Sequence, residues 1–240
     1  MKILLVSATW LEVEPLIIHL KNMGGLRQTG QSYKWNNIEF NLLITGVGIA
    51  ATAYSMAKAL HHNHQYQLVI DIGIAGAFRR KGCLTIGEVV YVETDCFAEL
   101  GVRGNQGIQT IFDIGLVKPD DYPYNNGLLV NTTDKLPEIV CRFLRKLPSV
   151  KAITSDTIHA NPNEIEQLAQ MYKPYLETME GAAFYYVTLN DRIPAFQLRA
   201  ISNYVEERDV SKWEIPWALN NLRERIFMLF NNLNKEIARI

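Results

Sequence analysis

The 240-residue chain is short of several features that would settle its class early. It has three cysteines, Cys83, Cys96 and Cys141. An odd number of widely spaced thiols fits neither a paired disulfide framework nor a zinc-ligand spacing. It has no excess of either charge, with 24 Lys and Arg against 25 Asp and Glu and a formal net charge of −1. Without a basic field or a run of like charge, nothing draws a nucleic-acid backbone or an anionic membrane surface, and a small molecule is the expected partner. Long apolar runs are missing too. The first ten residues, "MKILLVSATW", hold only the short run Ile3 to Val6, too short for a signal-peptide core or a transmembrane helix. A cytoplasmic location is expected. No linker, composition break or internal repeat divides the sequence, so residues 1–240 read as a single domain. With 48% hydrophobic residues, that domain has material for one large core.

What is present is an alternation. The runs "KILLVS", "FNLLIT", "LVIDIG", "EVVYVE", "VKAIT" and "PAFQLRAIS" are short, rich in Leu, Ile and Val, and bounded by glycine or polar residues, as strands are. Helical apolar spacing appears over Val13 to Met23, Ile49 to Leu60, Ile165 to Met171, Gly181 to Leu189 and Pro216 to Ile240. Near-continuous apolar strands are those buried on both faces, so the expected class is α/β, with a β-sheet flanked by helices. "RQTGQSYKWNNIEFNLLI" reads as a hairpin or meander turned at Asn36-Asn37, which makes the sheet mixed. The stretch from Thr94 to Asn131 reads as one long irregular loop, a length usually reserved for function.

Several short motifs carry chemistry, each with a plainer structural reading beside it. In "TGVGIAA", Gly46, Gly48 and Ala51 fit a dinucleotide-binding turn, and Asp71 stands where a ribose-binding acid belongs. The pattern follows the hairpin rather than the first strand, however, and its glycines equally let a helix pack closely on a strand. "DIGIAGAF" reads as a glycine turn at a strand end, where Gly73 and Gly76 either admit a ligand close to the backbone or simply make a tight turn. Glu12 and Glu14 follow the first strand at a helix start, a site suited both to a general base and to simple capping. "ETMEGAAFYYV" opens an apolar helix with Glu177 and Glu180. The small residues after Glu180 leave it poorly solvated and in need of a partner such as ribose hydroxyls, with helix capping as the plainer reading. Phe184, Tyr185 and Tyr186 read as core with polar handles. His61, His62 and His64 sit at a helix end, where the dipole explains them, and no metal is assigned.

Taken in order, the acid at Glu12, "TGVGIAA", "GIAGAF", "TSDTI", "ETMEGAA" and "IPAFQLRAIS" span nearly the whole chain. The set resembles the purine nucleoside phosphorylase and nucleosidase superfamily, especially its methylthioadenosine/S-adenosylhomocysteine nucleosidases. A finer likeness, carried by "FAELG", "ETMEGAAF", "SNYVEERD", Trp213 and "IPWALNNL", is to the futalosine hydrolases of the alternative menaquinone pathway. The resemblance implies a nucleoside phosphorylase-like fold and cleavage of an N-glycosidic bond without metal or organic cofactor. It implies that Glu12 activates water, Glu180 holds the ribose hydroxyls, Met179 contacts the substrate, and Arg199 helps orient the carboxylate and water. Gly76, Asp156, Thr157, Ile158 and Asn203 would border the ligand. It also implies a homodimer or larger homo-oligomer, because a neighbouring subunit completes each site in related nucleosidases.

The residue types suit that chemistry. Breaking the bond builds positive charge on the sugar, which nearby acids stabilise while a base takes a proton from water. A phosphate nucleophile needs cations or dense donors. The first loop offers Thr9, Trp10, Leu11 and Glu12, and the glycine motif presents Ile74, so water is favoured. One departure sets the substrate. Adenine-releasing nucleosidases carry an aspartate where this chain has Asn203, and an amide donates to a six-oxo group while accepting from a protonated N7. The expected substrate is futalosine, with hypoxanthine released. The alternatives are an adenine-releasing nucleosidase and a silent nucleoside-binding module. Arg103 is the one candidate for the carboxyphenyl end, against a plain surface arginine, and Glu206, Glu207 and Asp209 read as a solvated helix start.

Overall fold

The structure, a computed structural model, describes residues 1–61, 66–79, 84–104 and 107–238. His62, His64 and Cys83 lie outside the described residues. The chain runs β1 (Lys2–Ser7), α1 (Trp10–Asn22), β2 (Leu26–Thr29), β3 (Ser32–Trp35), β4 (Ile38–Ile44), α2 (Ile49–His61) and β5 (Leu68–Ala77). It continues through β6 (Val89–Asp95), β7 (Gly101–Gly104), β8 (Gly107–Thr110), β9 (Tyr124–Asn125), β10 (Leu128–Val130), α3 (Glu138–Leu144) and β11 (Ser149–Thr154). Last come α4 (Pro162–Tyr172), β12 (Leu176–Thr178), α5 (Gly181–Asn190), β13 (Ala195–Tyr204) and α6 (Ile215–Ile237).

The expected α/β class with a mixed, helix-flanked sheet is what forms. β2, β3 and β4 make the antiparallel meander, with Asn36 at its turn in the left-handed region at φ 54°. β4, β1 and β5 then run parallel. Beyond β5 the sheet closes on itself: β5, β12, β11, β6 and β13 pair in turn, and β13 pairs back to β5. A closed ring has no free edge to protect. Helices α1, α3 and α6 cover one apolar layer, with Leu16, Ile17, Leu222, Ile226 and Phe230 fully buried. Helices α2 and α5 cover the other, through Met56, Leu60, Ala182 and Phe184.

Three sequence expectations need correcting. "DIGIAGAF" is no turn: β5 continues through Gly73 and Gly76 to Ala77, because β13 pairs along its whole length. The stretch 94–131 is only partly irregular, since it holds the β7–β8 hairpin and the short strands β9 and β10. Glu177 does not open a helix; it lies on β12, and α5 starts at Gly181.

Candidate functional site

Strand ends build the site. β1, β5, β12 and β13 all deliver their carboxyl-terminal residues, or the turn that follows, to one cavity of about 240 Å³. That is the end of a twisted sheet where ligands are received. Its wall includes Glu12, Gly76, Ile158, Met179, Glu180 and Asn203, six of the nine residues singled out from the sequence. Arg199, Asp156 and Thr157 lie off the wall.

Glu12 is held by four donors. Its Oε2 accepts from the Ser7 hydroxyl at 3.1 Å and from both the Thr9 amide and the Thr9 hydroxyl at 3.0 Å, and its Oε1 accepts from the Ile74 amide at 3.2 Å. The Thr9 amide bond is one half of a capping box, whose other half is the Thr9 side chain accepting from the Glu12 amide, a pattern legible in the sequence as Thr9-x-x-Glu12. The capping and functional readings therefore apply to one side chain, and the cap fixes its position. Glu14 instead accepts from the Trp10 indole N–H at 3.0 Å on the outer helix face.

Register explains the next two residues. Arg199 on β13 pairs with Gly73 on β5, and Asn203 pairs with Gly76 across a bulge between Ile201 and Asn203. Bulges re-aim side chains. A Cβ on Gly73 would come within 2.7 Å of Glu12 Oε1 and 3.2 Å of Arg199 Nη1, so the missing side chain is what lets carboxylate and guanidinium converge there. Arg199 is buried and ion-paired to Asp71. Burial alone would lower its pKa, but the carboxylates of Asp71, Glu180 and Glu12 outweigh that and raise it, so it stays charged. This placement uses up Asp71, which is buried and engaged by Arg199 and is no exposed ribose acid of a dinucleotide fold.

Glu180 precedes α5 and accepts from the Gly48 amide at 3.0 Å. Gly48 has φ 97°, a conformation open to glycine. Burial pushes the Glu180 carboxyl up to about 7, opposed by Arg199 and by the Gly48 amide and reinforced by Asp71 and Glu12. Asp156 is exposed, and its Oδ1 accepts the Ile49 amide at 2.7 Å. It thus caps α2 from a distant loop rather than bordering the cavity. Thr157 is also exposed, its amide donating to Ser155 Oγ at 3.0 Å.

Asn203 is oriented by its neighbours. Its Nδ2 donates to the Tyr204 carbonyl at 3.0 Å, which can only accept, and its Oδ1 accepts from Ser202 Oγ at 2.7 Å. One N–H and one lone pair of the amide are left unspent at the cavity wall.

Wall residues that carried no site expectation include Trp213 and Ser202, which flank Asn203, and Leu11 and Val47. Leu11 and Val47, 55% and 54% exposed, make an open apolar mouth with the expected Ile158, 42% exposed. Ser202 could have been found from its place next to Asn203; Leu11 and Val47 carry no signal of their own. Glu177, also on the wall, is bonded to the buried His159, whose Nε2 lies 3.6 Å from Glu99. Burial pulls His159 down, but Glu177 and Glu99 outweigh it and raise its pKa, which favours the cation. Arg103 pairs with Glu99 and Glu164 away from the cavity. Glu206 pairs with Arg79 at 3.0 Å, and Asp209 caps a short 3₁₀ turn at Val210–Lys212. Among the described residues no group of three or more His, Cys, Asp or Glu side chains is arranged to hold a metal ion.

A profile described as the phosphorylase superfamily matches residues 2–233. The chain belongs to that superfamily. Among curated relatives, a futalosine hydrolase of Thermus thermophilus is 29% identical over 222 residues, covering 92% of this chain and 89% of that protein. A futalosine hydrolase of Streptomyces coelicolor is 26% identical over 195 residues, covering 78% and 77%. Among solved structures, a 5′-methylthioadenosine/S-adenosylhomocysteine nucleosidase of S. pneumoniae, determined with a transition-state inhibitor, superposes with a TM-score of 0.76 at 19% identity, covering 97% of this chain and all of that one. A futalosine hydrolase mutant of Helicobacter pylori gives 0.76 at 15%, covering 96% and 99%. The two solved structures share this chain's nucleoside phosphorylase-like fold.

Proposed function

We propose that this protein is a nucleosidase that hydrolyses the N-glycosidic bond of futalosine, giving hypoxanthine and dehypoxanthinylfutalosine on a route to menaquinone. The observation that carries the reading is the composition of the cavity wall. Glu12, Glu180 and the Asn203 amide converge on it, and among the described residues no Lys, Arg or His side chain lines it. An acidic wall repels phosphate and suits water as nucleophile.

In this reading Glu12, held by its cap, accepts a proton from the attacking water as the carbon–nitrogen bond lengthens. Charge growing on the sugar is stabilised by Glu12 and Glu180, the second of which also takes the ribose hydroxyls. Arg199 does not touch the cavity; it balances the charge behind both carboxylates. The unspent N–H of Asn203 donates to the six-oxo group and its carbonyl accepts from protonated N7. Met179, Gly76 and Ile158 shape the ribose and base positions. The relatives' names support futalosine as substrate. The apolar mouth formed by Leu11, Val47 and Ile158 supports a homodimer or larger homo-oligomer that covers it. Among the described residues no helix is long and apolar enough to cross a membrane, which is compatible with a cytoplasmic enzyme.

The test is incubation with futalosine in the presence of excess phosphate, followed by chromatography of the bases and phosphorus NMR of the sugar product. Hypoxanthine and a free hemiacetal are expected. A ribosyl 1-phosphate signal growing with turnover would make the protein a phosphorylase. Faster release of adenine from the six-amino analogue would overturn the base assignment, and no turnover of either would leave a binding module.

A further inference from the structure

Directly beneath the Glu180 turn lies a buried polar cluster that the reaction does not use. Asp95, at the end of β6, is fully buried, as is Gln197 on β13. Asp95 Oδ1 accepts twice, from the Cys96 amide at 2.8 Å and from the Thr154 hydroxyl at 2.9 Å. Asp95 Oδ2 and Gln197 Oε1 have no partner at all. Both oxygens crowd Gly181, where a Cβ would collide with each of them.

The orientation of Gln197 is not free. Its Nε2 donates to the Gly181 carbonyl at 2.9 Å, and a reversed amide would set two carbonyl oxygens against each other. Gln197 Oε1 must therefore face the carboxyl of Asp95. Two buried acceptors with nothing to accept are costly, while one proton between them satisfies both. We infer that Asp95 is held as a neutral carboxylic acid that donates from Oδ2 to Gln197 Oε1, acting as a positioning residue for Glu180.

The rest of the cluster agrees. The Thr154 hydroxyl hydrogen goes to Asp95, so the Thr178 hydroxyl donates to Thr154 Oγ1 at 3.0 Å. The Ala182 amide also donates to Thr154 Oγ1, at 2.8 Å, and the Gly181 amide donates to Thr178 Oγ1 at 3.3 Å. Thr178, Gly181 and Ala182 are thereby pinned on both sides of Met179 and Glu180. Burial pushes the Asp95 carboxyl up to about 7, with Thr154, Arg199 and the Cys96 amide pulling the other way. The charged and titratable groups facing it are Arg199 from β13, Tyr185 from α5 and the adjoining Cys96.

Asp95→Asn tests this, because an amide N–H replaces the acid O–H without the option of ionising. A folded-state pKa raised from the ordinary 3.8 to about 7 means the native state binds the extra proton between those values. The stability that this group contributes is then lost as pH rises through that window. The thermal midpoint of Asp95→Asn relative to wild type should climb from pH 4 to about pH 7 and level off above it. A difference that stays flat or falls over that range would mean an ionised Asp95, and an Asn variant that does not fold would overturn the proposal equally. The infrared difference between wild type and Asp95→Asn supplies a second reading: a protonated-carboxyl C=O band at pH 6 that the variant loses, with the Glu180 carboxyl cancelling in the subtraction, and absence of that difference band refuting the inference. The positioning role rests on the futalosine reading and is read from kcat. Asp95→Asn should retain at least about tenfold more kcat than Asp95→Leu, which removes both hydrogen-bonding oxygens; equal losses would reduce Asp95 to a structural group. Failure of the kinetic arm with the stability and infrared results intact would point to the function assignment or the positioning role, not to the proton.

Discussion

Gly73→Ala is the sharpest test of how the site is built. Its Cβ would stand 2.7 Å from Glu12 Oε1, where ordinary contact begins at 3.4 Å, so one of them must move by about 0.7 Å. The strand resists receding, because β13 pairs with β5 along its length, with Arg199 directly across from Gly73, and β1 holds its other edge up to Asp71. Glu12 must therefore shift, and its bond to the Ile74 amide, already 3.2 Å long, is the first to break. Overpacking of this kind costs about 1–3 kcal/mol, which a thermal melt followed by circular dichroism will show. A general base displaced by most of an ångström loses on the order of 10² in rate. The fall should appear in kcat, with KM changed only a few-fold, since Gly73 lies against Glu12 and not against Asn203, which reads the purine. Gly76→Ala is the control: its Cβ would meet Val205 Cγ2 at 3.0 Å and Asn203 Nδ2 at 3.2 Å, so it should act on KM and base preference. A folded Gly73→Ala protein with wild-type kcat would refute the reasoning, because the observed Glu12 position would then not be the working one.

Local pattern made much of this legible, and contacts between distant segments made the rest invisible. β1, β13, α2 and α5 were recoverable because each carries its own apolar run or periodicity. The three residues of β12 were not, for a strand that short has no period of its own and forms because β5 and β11 flank it. α3, at seven residues, escaped for the same reason. Asp71 looked like a ribose acid because spacing along the chain says nothing of Arg199, 128 positions away. Asp156 looked like a base contact because a cap on α2 supplied from 107 residues away leaves no trace in either segment. Glu12, by contrast, was readable twice over, as a capping residue and as an acid at a strand end, since both roles depend on the same few neighbours.

Three further outcomes follow from the geometry. Glu12→Gln keeps the shape and most of the cap but removes basicity, so turnover should fall by about 10² or more with little change in binding; near-normal turnover of the folded variant would remove Glu12 from the mechanism. Glu180 must be ionised to accept both ribose hydroxyls, and with its carboxyl at about 7 the ionised fraction shrinks below that pH. kcat/KM should then drop roughly tenfold per unit well below that pKa, and Glu180→Gln should show a lower, flatter profile; an unchanged acidic limb would reassign it. The last outcome concerns Asn203→Asp. The Tyr204 carbonyl and the six-oxo group, both served by hydrogens of Nδ2, would then face the carboxylate oxygen that replaces it. A site that pairs its polar groups with one substrate can discriminate by roughly 10⁴, so the wild-type preference for futalosine over its six-amino analogue should be large. In the aspartate variant the ratio of catalytic efficiencies should collapse. Six-oxo turnover falls because both oxygens lose their donor, while a protonated aspartic acid can still serve N7 of a six-amino base. A ratio equal to wild type would mean that Asn203 does not read the base, and the substrate would then be set by something other than the one amide left unspent at the wall.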